Sequence, residues 1–250
     1  MEALDSKRYK SLCTSTGNSY RYYSSTRSQN PTFLFIHGFP NTANIWRGHI
    51  AHFEGLGFCC IAPDMLGFGG SDKPYDPQQY VAKSLAQSLV DILDAEKIDK
   101  VVVVAHDWGC QAASRLVMYY PSRVASLVLA AVPYYEPAPF DLNTYNDQTE
   151  EAFGYSSFGY WDVFAGETNL LSEHAESLYC LFNAQDPEMW KKHFMPRGAL
   201  KKWLENDRKC TVGEYETDVD RREFLANDWT AATQYYQYFI KNLHWDNVPK

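Results

Sequence analysis

Short apolar runs alternate with helical patterns along the first half of the chain. The apolar runs lie at 32–36, 58–62, 100–105 and 126–131. Such near-continuous runs are typical of strands buried on both faces of a parallel sheet. Residues 78–96 between them place one apolar face at helical spacing, formed by Val81, Leu85, Leu89, Ile92 and Leu93. The alternation predicts an α/β fold with a doubly wound, mostly parallel sheet of about six strands, two of them antiparallel within residues 7–24.

The pattern changes near residue 134. Pro133, Pro137 and Pro139 interrupt the alternation, and the following stretch is rich in aromatic and acidic residues without strand-like punctuation. We therefore predict a core over 1–133 and a mostly helical lid over 134–245, inserted after the sixth strand. Residues 246–250 are then expected to begin the return to the core.

Composition and charge narrow the class of protein. The net charge of −8 and the absence of a basic stripe argue against a nucleic-acid partner. No run approaches the roughly 20 apolar residues of a membrane helix, and the N-terminus lacks the apolar region of a signal peptide. The six cysteines show no C-x-x-C pair, so we expect reduced thiols and a cytoplasmic protein.

The segment from Val104 to Cys110 carries the strongest chemical signal. It follows an apolar strand and precedes the helical pattern 111–120. A tight strand-to-helix turn that presents a nucleophile needs small residues two positions on either side of it, and Ala105 and Gly109 flank Asp107 in this way. The N-terminus of the following helix would stabilise the Asp107 carboxylate. The alternative interpretation is an aspartate that only caps the helix.

Two further loops follow buried strands. His37-Gly38-Phe39-Pro40 follows the strand at 32–36, where a loop N–H can contribute to an oxyanion hole. We expect the backbone N–H groups of Phe39 and Trp108 to converge there, and the Phe39–Pro40 bond is a candidate for the cis isomer. The glycine-rich segment 64–74 ends in Asp72 where a dinucleotide fingerprint requires glycine, so it is interpreted as a structural turn.

In this order and spacing, the three blocks resemble the epoxide hydrolases of the α/β-hydrolase family, whose signatures are H-G-x-P, G-x-G-x-S and H-D-x-G. The resemblance covers residues 30–250. It implies that Asp107 attacks an epoxide carbon to form an alkyl-enzyme ester. It also implies two lid tyrosines that hydrogen-bond the epoxide oxygen.

The candidates for those tyrosines are Tyr160, within Phe158-Gly159-Tyr160-Trp161, and Tyr236, which is favoured over Tyr235. With 18 tyrosines in the chain, packing is the alternative role for each. Beside them, His37, His106 and Trp161 are predicted to contact the substrate. No motif indicates a cofactor, and the His49–His52 pair lacks the further ligands of a metal site.

The histidine base and orienting carboxylate that the resemblance implies are not found. Cleavage of the ester needs a base to activate water. No histidine has the expected context, Leu129 to Val132 offers no carboxylate, and Glu136 lies in a proline-rich setting. The chain resembles a truncated enzyme, and we expect no turnover from it. The sixth strand would then form an exposed apolar edge.

Two other functions remain open at the level of sequence. A haloalkane dehalogenase shares the aspartate and the adjacent tryptophan, here Trp108, but has no use for proton-donating tyrosines. A non-catalytic binding protein would keep the cavity without the base. The aromatic lid favours a small apolar substrate, aryl or polyketide-like, and the sequence does not define the oligomeric state.

Overall fold

The computed structural model describes residues 2–25, 31–214 and 217–244. Its sheet has the order β1-β2-β4-β3-β5-β6. The β1–β2 and β2–β4 pairs are antiparallel, and the other pairs are parallel. The strands are β1 (Tyr9–Cys13), β2 (Ser19–Ser24), β3 (Thr32–Ile36), β4 (Cys59–Pro63), β5 (Val101–His106) and β6 (Val124–Ala130). The predicted mostly parallel sheet and its two leading antiparallel strands are confirmed.

Each buried strand sends alternate side chains to two separate cores. Leu34, Ile36 and Ile61 face the larger core with the helices that follow β4 and β5. Phe35 and Cys60 face a smaller core that packs against the helix between β3 and β4. This period of two is the reason that the strands read as continuous apolar runs.

Three helices belong to the sheet, and shorter 3₁₀ helices cover 6–8, 43–46, 77–80 and 121–123. The three helices are α1 (Arg47–Gly55), α2 (Ala82–Ala95) and α3 (Trp108–Tyr119). The predicted helix at 78–96 is therefore a 3₁₀ turn followed by α2. Val81 lies between the two and caps the start of α2.

The regular structure described between residues 134 and 244 is helical apart from one isolated bridge, Ala184 to Val212. We call this segment the lid. Residues 245–250, where we predicted the end of the lid and the return to the core, lie outside the described residues. The lid helices are α4 (Leu142–Phe153), α5 (Trp161–Gly166), α6 (Thr168–Glu173), α7 (Ala175–Phe182), α8 (Glu188–His193), α9 (Ala199–Glu205), α10 (Asp218–Leu225), α11 (Trp229–Ala232) and α12 (Gln234–Ile240).

Helix α10 joins the lid to the core through polar contacts. Arg47 of α1 forms two hydrogen bonds of 2.8 Å with the Asp220 carboxylate. Glu223 accepts hydrogen bonds from Thr42 and Asn44 of the loop and 3₁₀ turn after β3. The same region that carries Phe39 is thus tied directly to the lid.

Strand β6 forms one edge of the described sheet, as we expected. Four of its seven residues are exposed and the other three are half-buried, and Val128 is 50% exposed. No helix within the described residues is long and apolar enough to span a membrane. Cys13, Cys60, Cys110, Cys180 and Cys210 are free thiols.

Candidate active site

Asp107 lies at the turn between β5 and α3. Its backbone has φ 54° and ψ −129°, outside the regions that most L residues adopt. Close contacts require glycine at two positions near Asp107. A Cβ atom on Gly109 would lie 2.6 Å from the carbonyl oxygens of Ile36 and His37. A Cβ atom on Gly38 would lie 2.4 Å from the Cβ atom of Asp107. The predicted tight turn from strand to helix is present in the structure.

The loop after β3 contacts Asp107 directly. The Phe39 N–H donates a 2.8 Å hydrogen bond to Oδ1 of Asp107, and the Phe39–Pro40 bond is cis. Burial raises the pKa of Asp107, while hydrogen bonds from the N–H groups of Trp108 and Phe39, together with nearby His106, oppose that rise. One carboxylate oxygen therefore already occupies the predicted oxyanion position.

The carboxylate faces a cavity of about 520 Å³ between the core and the lid. Most of its described lining is aromatic, and the polar groups are the Asp107 carboxylate, one glutamine amide, tyrosine hydroxyls and two indole N–H groups. The lining residues are Asp107, Trp108, Gln111, Ala131, Val132, Pro133, Tyr135, Phe140, Tyr145, Phe158, Tyr160, Trp161, Tyr236 and Phe239.

Tyr160 and Tyr236 meet in this cavity from opposite ends of the lid sequence. Tyr160 precedes α5, Tyr236 lies on α12, and their ring centroids are 6.3 Å apart. Burial raises the pKa of both hydroxyls, and the Asp107 charge adds to the effect, so both remain protonated donors at neutral pH. Tyr235 differs, because its hydroxyl donates to the carbonyl oxygen of Leu66 in the core.

Trp161 lines the cavity as expected, but the two predicted histidines do not. Both ring nitrogens of His37 are used by the backbone: Nδ1 bonds the carbonyl of Gly38, and Nε2 accepts the N–H of Met65. Burial lowers the pKa of His37, which favours its neutral form. The structure therefore supports a structural role for His37 and not substrate contact.

His106 contacts a different cavity. It alternates with Ala105 along β5, so its side chain leaves the opposite face of the strand. There it lines a smaller space of about 230 Å³ behind Phe39 and Pro40. None of the seven histidines, all of which lie in the described residues, lines the Asp107 cavity. Glu136, the carboxylate considered after the sixth strand, is exposed to solvent.

Several lining residues were missed by the sequence analysis. Gln111 could have been found, because it lies one helical turn after Asp107. Phe140, Tyr145 and Phe239 could not, because nothing local connects three lid positions so far apart.

The glycine-rich segment is a structural turn, as interpreted: the buried Asp64 pairs with Arg21 and accepts the N–H of Gly70. Among the described residues, no group of side chains is placed to hold a metal ion.

The fold and the elbow define an α/β hydrolase with an aspartate in the nucleophile position. A family model for the alpha/beta hydrolase fold matches residues 31–174. Epoxide hydrolase 2 of Siraitia grosvenorii is 35% identical over 240 residues, which are 93% of this chain and 73% of that protein. The chain therefore belongs to the epoxide hydrolase family of α/β hydrolases.

Solved structures agree with the fold. Epoxide hydrolase A from Mycobacterium thermoresistibile superposes with a TM-score of 0.76 at 22% identity, covering 94% of this chain and 75% of that one. A variant of potato epoxide hydrolase gives a TM-score of 0.73 at 26% identity, with coverage of 94% and 74%. The chain thus spans about three quarters of the length of these structures.

Proposed function

We propose that Asp107 opens an apolar or aromatic epoxide by direct attack on a ring carbon. The observation that carries this proposal is that Asp107 lines the cavity while its Oδ1 accepts the Phe39 N–H. Oδ2 is then the proposed attacking oxygen. A new C–O bond forms, the ring C–O bond breaks, and its electron pair goes to the epoxide oxygen.

The developing alkoxide needs a proton, and Tyr160 and Tyr236 are the proposed donors. Both are protonated at neutral pH, and their rings lie close together in the cavity that contains Asp107. A positioned acid of this kind typically contributes about 10²–10⁴-fold to the rate. The remaining aromatic wall excludes water and favours an apolar substituent on the epoxide.

Hydrolysis of the ester would use the same N–H groups again. When water attacks the ester carbonyl, Oδ1 becomes the oxyanion, and it already accepts the Phe39 N–H. The Trp108 N–H, which also bonds the Asp107 carboxyl group, is the proposed second donor. Activation of that water needs a base, and no histidine of the described residues faces the cavity. For this 250-residue chain we therefore expect the ester to form faster than it is cleaved.

We also propose a cytoplasmic location, which rests on the cysteine pattern alone.

Intact-mass spectrometry of the chain incubated with styrene oxide tests the nucleophile. We expect a mass increase equal to one epoxide, and its loss in Asp107→Asn, which suits the same backbone because asparagine tolerates positive φ. An adduct that persists in the asparagine variant would refute Asp107 as the nucleophile. Sustained diol production over many turnovers would show that a base is present among these residues.

A dehalogenase reaction is the second candidate, and one contact favours it. The indole rings of Trp108 and Trp161 are 5.6 Å apart, and both line the cavity wall. Indole N–H groups can stabilise a departing halide. Halide release from an aryl alkyl bromide, compared with ester formation from the matching epoxide, separates the two reactions.

A further inference from the structure

Gln111 is a polar side chain in the cavity wall that the proposed mechanism does not use. It lies in the first turns of α3, one turn after Asp107, and it is 5% exposed. Its amide nitrogen is buried and makes no hydrogen bond to any described residue. A buried amide that lacks an acceptor is unfavourable, and most buried polar groups in proteins avoid this state.

The position of Gln111 separates it from the two proposed proton donors. Tyr160 and Tyr236 come from the lid, whereas Gln111 belongs to the helix that starts at the nucleophile. Other described residues of the cavity wall are apolar or aromatic, such as Val132, Pro133 and Phe239. The substrate, once bound, is therefore the group best placed to satisfy the amide.

Resting on the proposed function, we propose that Gln111 determines specificity by donating a hydrogen bond to an oxygen on the epoxide's substituent. The preferred substrates are then apolar epoxides with an ether or carbonyl oxygen near the ring. All-carbon analogues leave the buried amide unsatisfied and bind more weakly, because a site with a polar group discriminates against a ligand that cannot pair with it.

Binding of two diols tests this proposal without any chemistry at Asp107. One is the diol of phenyl glycidyl ether, and the other is its analogue with CH₂ in place of the ether oxygen. Trp108 and Trp161 line the cavity, so quenching of tryptophan fluorescence reports occupancy. We expect the wild-type chain to bind the ether diol about three- to tenfold more tightly than the carbon analogue, as one net hydrogen bond allows.

Gln111→Met keeps the length of the side chain and removes the donor. We expect it to bring the ratio of the two dissociation constants to about one, mainly by weakening the ether diol. Gln87→Met is the matched control, because that amide lies on α2 and already bonds Asp91 and Tyr120. It should leave the ratio at the wild-type value.

A ratio that Gln111→Met does not change would overturn the proposal, as would a wild-type ratio of one. Formation of the Asp107 ester is followed separately by intact mass with both epoxides. The wild-type chain could form no ester and still lose its preference for the ether diol in Gln111→Met. That result would refute the proposed nucleophile and retain the role of Gln111. If the wild-type chain forms the ester and Gln111→Met keeps the preference for the ether diol, the nucleophile is retained and the role of Gln111 is refuted.

Discussion

Two adjacent tyrosines on α12 have hydroxyls in different places. Tyr236 lines the cavity beside Trp108, with ring centroids 5.1 Å apart, whereas the Tyr235 hydroxyl bonds the carbonyl oxygen of Leu66 at 3.0 Å. We predict that Tyr236→Phe slows formation of the Asp107 ester about 10- to 100-fold, because one of the two proposed proton donors is lost.

Tyr235→Phe is the control for that variant. It should keep the rate within a few-fold of wild type and lower the free energy of unfolding by about 1 kcal/mol, the usual cost of one hydrogen bond. Time courses of adduct mass and thermal melts measure the two effects. Equal slowing by both substitutions would mean that helix packing, and not the Tyr236 hydroxyl, limits the reaction.

At the scale of single residues, sequence reasoning worked where the backbone restricts the choice. The place of Asp107 at the strand-to-helix turn was predictable because the flanking positions must be small, as the close contacts at Gly109 show. The prediction that His37 and His106 contact the substrate was wrong, because the partners of a buried histidine come from distant parts of the sequence. The Met65 N–H, which donates to Nε2 of His37, lies 28 residues away in sequence.

At the scale of elements, α10 is the point where the lid is tied to the core. The Arg47–Asp220 pair is mostly buried, with side-chain exposures of 11% and 20%. Arg47→Met leaves the Asp220 carboxylate without its charged partner. We predict a loss of about 1.5–3 kcal/mol in the free energy of unfolding and faster amide hydrogen exchange over residues 217–227.

Arg221→Met on the same helix is the matched control. Arg221 pairs with Glu176, and both side chains are about half exposed, so solvent screens the interaction. Its loss should cost less than about 1 kcal/mol and leave exchange in α10 near the wild-type rate. Similar effects of the two variants would argue against a special role for the Arg47 contact.

Strands were predicted to within about two residues, because burial on both faces leaves a clear apolar run. The lid was predicted only as helical. Its helices α5, α6 and α8 have six residues each, too short for a periodic apolar face to develop. Their bounds depend on packing between aromatic side chains, such as Tyr160 against Phe194, which no local pattern encodes.

At the scale of the whole molecule, the fold and its family follow from the sequence, but the shape of the cavity does not. Its described walls come from the start of α3, the segment after β6, α4, the segment leading into α5, and α12. Those five pieces are spread over more than 130 positions of the chain, from Trp108 to Phe239. Each piece carries a motif or an apolar pattern that the sequence shows. The way the pieces come together around the cavity depends on how the lid packs against the sheet.

The carboxylate held in the oxyanion position has a consequence for chemical labelling of this protein. Fluorophosphonate probes need an activated serine and a vacant pair of N–H donors for the phosphoryl oxygen. Here Oδ1 of Asp107 takes the Phe39 N–H at 2.8 Å. We expect such probes to leave the site unmodified, whereas an aryl epoxide carrying an alkyne tag should label Asp107, as peptide mapping would reveal. In a proteome profiled only with serine-directed reagents, this hydrolase would be invisible.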